Sequence, residues 1–121
     1  MPKPEQGRIV LVTVPDPQKR NVKTRPAVII SETEQIERDG RIMCVAITSS
    51  IPDEIPNDCV LLPFHPTGKV RTGLKKRSMA MCSWFFEIEE NEIEKYIGVV
   101  PFALLSEIVD RAEASDSPED P

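Results

Sequence analysis

Short apolar, β-branched runs interrupted by proline, glycine and charge make up most of this chain. Arg8–Val14 reads Arg-Ile-Val-Leu-Val-Thr-Val before Pro15 and Pro17, the pattern of a first strand closed by prolines. After a polar, basic loop, Pro26–Ser31 predicts a second strand. Pro26 is placed at its entry, because a proline cannot donate to a ladder from a strand's middle. Glu32–Gly40 is densely charged and ends in Asp39-Gly40, a turn signal. Arg41–Ser49 predicts a third strand whose centre, Ile42–Ile47, is continuous enough to be buried on both faces. Pro52 and Pro56 lead into a fourth at Asp58–Pro63; Phe64–Gly73 reads as irregular. Ser78–Ile88 is a fifth strand, and Tyr96–Val99 a short last one.

The period then changes. Phe102, Leu105, Ile108, Val109 and Ala112 recur at helical spacing behind Pro101, a first-turn proline. This helix is expected to end near Ala114. The reading is therefore mainly β with a C-terminal helix, rolled into a small, strongly curved barrel or half-barrel. One domain spans residues 1–114, and 115–121 forms an acidic tail with nothing to bury, expected to be disordered.

Composition narrows the function classes. The chain has 121 residues, 40% hydrophobic and 29% charged, which is one globular domain with no run approaching a membrane span. Its polar first residues do not read as a secretory signal. Cys44, Cys59 and Cys82 are an odd number at wide spacing and each lies in an apolar run, as reduced, buried thiols do. Together these features predict a cytoplasmic protein. A single histidine, His65, excludes a multi-histidine metal centre, so no metal or other cofactor is expected.

The net charge of −5 hides a segregated pattern. Glu113, Asp116, Glu119 and Asp120 lie at the C-terminal end with no base among them, and without them the chain is nearly neutral. Lys19, Arg20, Lys23 and Arg25 form one basic cluster. Lys69, Arg71, Lys75, Lys76 and Arg77 form a second, in a stretch from Cys59 to Phe86 that contains no acid. Two basic clusters on a near-neutral body suit a polyanion, although solvated loops have the same composition.

Chemistry concentrates where strands meet loops. Arg25 precedes Pro26, and a residue before proline is confined to extended geometry. A guanidinium held this way can offer its planar fork to a phosphate at small entropic cost. Thr48, Ser49 and Ser50 leave the third strand with hydroxyls able to bond phosphate oxygens. A cation and several donors around one phosphodiester are requirements of phosphoryl chemistry.

The order of these pieces resembles the MazF/PemK family of toxin endoribonucleases from bacterial toxin–antitoxin modules. The resemblance runs through Gly7–Val14, Pro15-Asp16-Pro17, Arg25–Ser31, Val45–Ser50, Thr72–Ser78 and Ile97–Ile108, about residues 7 to 112. It implies an SH3-like barrel forming a homodimer, with single-stranded RNA in a groove along the dimer interface. It also implies metal-independent, sequence-specific cleavage, in which the 2′-hydroxyl attacks phosphorus and leaves a 2′,3′-cyclic phosphate. Arg25 matches the family's charge-stabilising arginine and Thr48 its phosphate-orienting threonine, with Ser49 beside it. Lys19, Arg20, Lys23, Lys75, Lys76 and Arg77 are the implied RNA-binding cations. A small antitoxin protein with an acidic tail is the implied partner.

The chain also departs from that pattern. The loop before Arg25 reads Gln18–Thr24 where many members have an acid and a glutamine, and Ser83-Trp84 stands where many have an acid–glutamine pair. His65 is then the only side chain with an ordinary pKa near neutrality. Trp84 and Phe86 share one strand face, available for base stacking or for the core. The surplus apolar surface of Ile42–Ile47 and Met79–Phe86 argues for a homodimer. The alternative reading is a catalytically degenerate module of the same fold that binds a protein target, as CcdB-type toxins do.

Overall fold

A computed structural model describes residues 3–15 and 22–116. Six strands form one antiparallel sheet: β1 (Arg8–Pro15), β2 (Val22–Ile29), β3 (Ile42–Thr48), β4 (Cys59–Leu62), β5 (Ser78–Ile88) and β6 (Ile93–Val99). Their order across the sheet is β4-β5-β3-β2-β1-β6. A short helix, α1 (Thr33–Asp39), joins β2 to β3, a 3₁₀ turn over Glu90–Glu92 precedes β6, and α2 (Phe102–Asp116) closes the described chain.

Each face of the sheet has its own core. Ile9, Val28, Val45, Ile47, Ala80 and Cys82 pack on one side with Ile108 and Ala112 of α2. Val10, Val12, Ala27, Ile29, Ile42 and Cys44 pack on the other with Ile36 of α1. Neighbours such as Ile9 and Val10 thus alternate between cores, as strand pleating requires. β3 is buried on both faces as its sequence predicts, but by the chain itself. Ile42, Val45 and Ile47 are covered by these two cores, so β3 leaves little surplus surface for a second copy.

Four elements differ from the sequence reading. The charged segment Glu32–Gly40 forms α1, closed by Gly40 in the left-handed region (φ 72°), whose N–H donates to the Ile36 carbonyl at 2.8 Å. Only Ile36 of α1 is buried, so the helix carries no periodic apolar signal. β6 begins at Ile93 with exposed Glu94 and Lys95 inside it. Phe102 is not a core residue but 81% exposed, since it lies about 120° around α2 from Ile108. α2 runs to Asp116, past Ala114; the rest of the expected tail, 117–121, lies outside the described residues.

The fourth difference positions the site. Pro26 lies inside β2, opposite Leu11 of β1, rather than at its start. The Ile30 N–H donates to the Met43 carbonyl at 2.8 Å, so Ile30, Val28 and Pro26 are the β2 residues whose backbone groups face β3. Pro26 therefore costs β1 no hydrogen bond. Toward β3 it ends the ladder, whose pairs are Ala27–Ala46, Val28–Val45 and Ile29–Cys44.

Candidate active site

Where the β2–β3 ladder stops, a groove of about 680 Å³ opens. The register pairing Ala27 with Ala46, carried two residues further, sets Arg25 across from Thr48. Both line the groove, together with Ser49 and Ser50. Arg25 is half-buried, and its guanidinium carbon lies 5.9 Å from the centre of the Trp84 ring. Among the described residues no acceptor hydrogen-bonds this guanidinium, so its charge-bearing edge is open to a ligand. The Thr48 hydroxyl oxygen accepts from the Ser50 N–H at 3.1 Å. That bond occupies a lone pair and leaves the O–H proton to donate, as a phosphate oxygen requires.

Trp84 reaches Arg25 because β5 is irregular. Val45 pairs with Phe85 but Ala46 pairs with Met81, so Cys82, Ser83 and Trp84 have no counterpart on β3. A bulge of this kind re-aims side chains. Trp84 and Phe86 pack against one core and Phe85 against the other. The aromatic residues are thus largely core, with Trp84 also serving as the surface beneath Arg25.

The opposite wall comes from the loop between β4 and β5, which is irregular but tightly held. Thr72 is fully buried; its hydroxyl donates to the Pro63 carbonyl at 2.7 Å and accepts from the Leu74 N–H at 3.2 Å. The loop also bonds to β6, where the Val99 N–H donates to the Arg71 carbonyl at 2.7 Å. Gly73 and Gly98 permit this approach. A Cβ at Gly73, which also has a positive φ of 70°, would strike the Ile97 carbonyl, and one at Gly98 would strike Arg71 and Thr72. This anchoring presents Lys75 and Lys76 to the groove.

Of the residues expected from sequence, the structure brings Arg25, Thr48, Ser49, Lys75 and Lys76 together. Arg77 is exposed but lies outside the lining. Lys23 falls within β2; Lys19 and Arg20 lie outside the described residues. His65 does not line the groove; its Nδ1 lies 2.8 Å from the Thr67 hydroxyl oxygen and 3.2 Å from the Thr67 backbone nitrogen. Sequence reasoning missed Lys95 and Tyr96, which complete the wall from β6. Starting that strand at Ile93 would have alternated them correctly, but Glu92 and Glu94 mask the strand pattern. No carboxylate side chain is among the described residues lining the groove.

Burial raises the Cys44 thiol to about 12 and the Cys82 thiol to about 11. All three cysteines are free and buried, so they are packing groups, not nucleophiles. Tyr96 is also raised, mainly by burial and then by Glu90, so its hydroxyl stays neutral. No helix among the described residues is long and apolar enough to cross a membrane.

Comparisons with known proteins converge on one family. Residues 5–115 match the model for the PemK-like, MazF-like toxin of type II toxin-antitoxin systems. Among solved structures, the chain is similar to MazF from Deinococcus radiodurans, with 17% identity, a TM-score of 0.71, and coverage of 94% of this chain and 96% of that one. It is similar to an endoribonuclease in complex with its cognate antitoxin from Mycobacterial species, with 15% identity, a TM-score of 0.70, and coverage of 98% and 100%. It also resembles the Mycobacterium tuberculosis toxin MazF-mt6, with 17% identity, a TM-score of 0.63, and coverage of 91% and 99%. The search of curated proteins gives no match.

Proposed function

Since this chain belongs to the PemK-like, MazF-like toxin family of type II toxin-antitoxin systems, we propose that it is a metal-independent endoribonuclease that cleaves single-stranded RNA in a sequence-specific way. The observation that carries this reading is the convergence of Arg25, Thr48 and Ser49 with Lys75, Lys76 and Lys95 in one groove. The scissile phosphate sits between Arg25 and Thr48. Its neighbouring 2′-hydroxyl attacks phosphorus, the bond to the 5′-oxygen breaks, and a 2′,3′-cyclic phosphate and a 5′-hydroxyl result. Arg25 stabilises the charge gathering on the equatorial oxygens, where a preorganised donor has its greatest effect. Thr48 and Ser49 orient the phosphate. The lysines carry the flanking backbone, through contacts that position the strand and do not read its sequence.

The protein works as a homodimer in the cytoplasm, and a small acidic antitoxin competes for the same cations. Support for a partner surface comes from the remaining exposed apolar side chains, Leu61, Phe64 and Phe102. The test is incubation of purified protein with single-stranded RNA in EDTA, followed by end analysis. Fragments with cyclic-phosphate ends support the reading. Intact RNA with retained binding to a protein target would favour the degenerate module instead.

A further inference from the structure

The proline that opens the groove also leaves a backbone acceptor inside it. Along β3, the residues whose backbone groups face β2 are Met43, Val45 and Ile47, as the bond from the Ile30 N–H to the Met43 carbonyl fixes. Val45 has Val28 opposite, and the same register carried two residues past the end of the ladder sets Ile47 across from Pro26. An ordinary residue there would donate its N–H to the Ile47 carbonyl. Pro26 has none, so that carbonyl lacks its ladder donor, and both Ile47 and Pro26 line the groove. A carbonyl without a donor in a partly enclosed site is costly unless a ligand or water supplies one. It lies one residue from Thr48, about 3.3 Å along the strand. A ribose bears its 2′-hydroxyl next to its own 3′-phosphate on the same scale.

We propose that the Ile47 carbonyl, kept open by Pro26, accepts a hydrogen bond from the ribose 2′-hydroxyl next to the phosphate held by Arg25 and Thr48. The site then selects ribose over deoxyribose without a carboxylate, and it positions the nucleophile but does not deprotonate it. The inference rests on the RNA reading and adds to it the group that recognises the sugar. It also gives the arginine–proline pair two separate tasks. Arg25 binds the phosphate, and Pro26 prepares the sugar's acceptor.

The test uses ligands that cannot be cleaved: the four ribonucleoside 3′-monophosphates and their 2′-deoxy counterparts, titrated into protein carrying a ¹³C label at the Ile47 carbonyl. For a base that binds, the ribose form should bind about fivefold tighter, the worth of one neutral hydrogen bond. The Ile47 carbonyl resonance should move with the ribose form and stay in place with the deoxy form. In Pro26→Ala the new amide closes the ladder. Its hydrogen should exchange slowly, the sugar preference should collapse to within twofold, and affinity for the deoxy form should be kept. Equal binding of the two sugars, or a carbonyl resonance that moves alike for both, overturns the inference and leaves the RNA reading standing. A Pro26→Ala protein with a freely exchanging amide at position 26, or one losing both ligands equally, overturns it too. Failure of every nucleotide to bind overturns the RNA reading and this inference together. The carbonyl measurement on the unaltered protein decides the matter even if the variant does not fold.

Discussion

Arg25 and Arg111 are both half-buried arginines, and the chain uses them in opposite ways. Arg111, on α2, donates to the carbonyls of Asn57 and Cys59 at 2.6 and 2.9 Å and pairs with Glu107 at 3.4 Å. Those carbonyls belong to β4 and its lead-in, so the guanidinium caps the edge of the sheet and ties it to the helix. Arg25 contacts the Trp84 ring, and among the described residues no acceptor takes up its donors. The difference separates a cation spent on the fold from the one proposed to hold a phosphate. A fold satisfies the charges it needs for itself, and a charge held in place but left without acceptors is directed at something else. The same contrast extends to other charges: Asp58 is bonded to Ser83 and Cys59, whereas Lys75, Lys76 and Lys95 of the groove are exposed.

The contrast breaks most visibly if Arg25 is removed. Arg25→Ala should lower RNA cleavage by about 10²–10³, the cost of one lost donor to a developing oxyanion, with thermal stability unchanged. A variant that cleaves within a few-fold of the unaltered protein would take Arg25 out of the mechanism. A drop in melting temperature of several degrees would show that its charge serves the fold after all.

Arg111→Met should do the reverse. The apolar stem is conserved while two carbonyls lose a charged donor, so stability measured by urea unfolding should fall by about 2 kcal/mol. Cleavage per folded molecule should not change. A loss of activity without a loss of stability would dissolve the distinction drawn between the two arginines.

The lysines sharpen the comparison within the basic loop itself. For single strands, each neutralised phosphate contributes about 0.7 to the slope of log affinity against log salt. Replacing Lys75 and Lys76, which line the groove, by glutamine should therefore flatten that slope by about 1.4. Arg77→Gln should leave it nearly unchanged, because Arg77 lies outside the lining. Equal effects from all three would mean that charge alone, and not the anchored loop, directs the strand.

Much of this was legible in the sequence. The cores of the β-branched strands and the start of α2 were placed correctly, because each carries a period of its own, while the start of β2, the start of β6 and the end of α2 were not. Arg25, Thr48 and Ser49 could be selected because a chemical requirement and a family order met at the same residues. What escaped depends on tertiary placement. Ile36 anchors α1 as a single buried residue, which no periodicity can reveal. Lys95 and Tyr96 entered the groove because β6 pairs with β1 at Leu11 and Val10, a register set by the whole sheet. Pro26 was read by a sound rule, that proline avoids paired positions. The rule held for the β3 side and placed the strand's start wrongly only because β1 asks nothing of that nitrogen.

The smallest effect tests the structural side of the comparison, through pH. Asp58 is held below the usual carboxylate range, chiefly by the hydrogen bond from the Ser83 hydroxyl, against an opposing desolvation, and further by its own backbone, Cys59 and Arg111. A carboxyl lowered in the folded state binds protons less readily there than in the unfolded chain. Its stabilisation is therefore complete above the unfolded value, about 3.9, and is lost as pH falls through the lower folded value. Ser83→Ala removes the largest cause. Because the pair is exposed and screened, the loss at pH 7 should stay below about 1 kcal/mol. The gap between the two proteins in urea midpoints should narrow as pH drops below about 4. Cleavage at neutral pH should be the same for both, since neither Ser83 nor Asp58 lines the groove. A gap that widens in acid would reverse the sign and show that Asp58 is destabilised, not held, by its neighbours. A cleavage rate that follows Ser83 would move the bulge of β5 from the structural side of the comparison to the functional one, with Trp84 and Arg25 as the route.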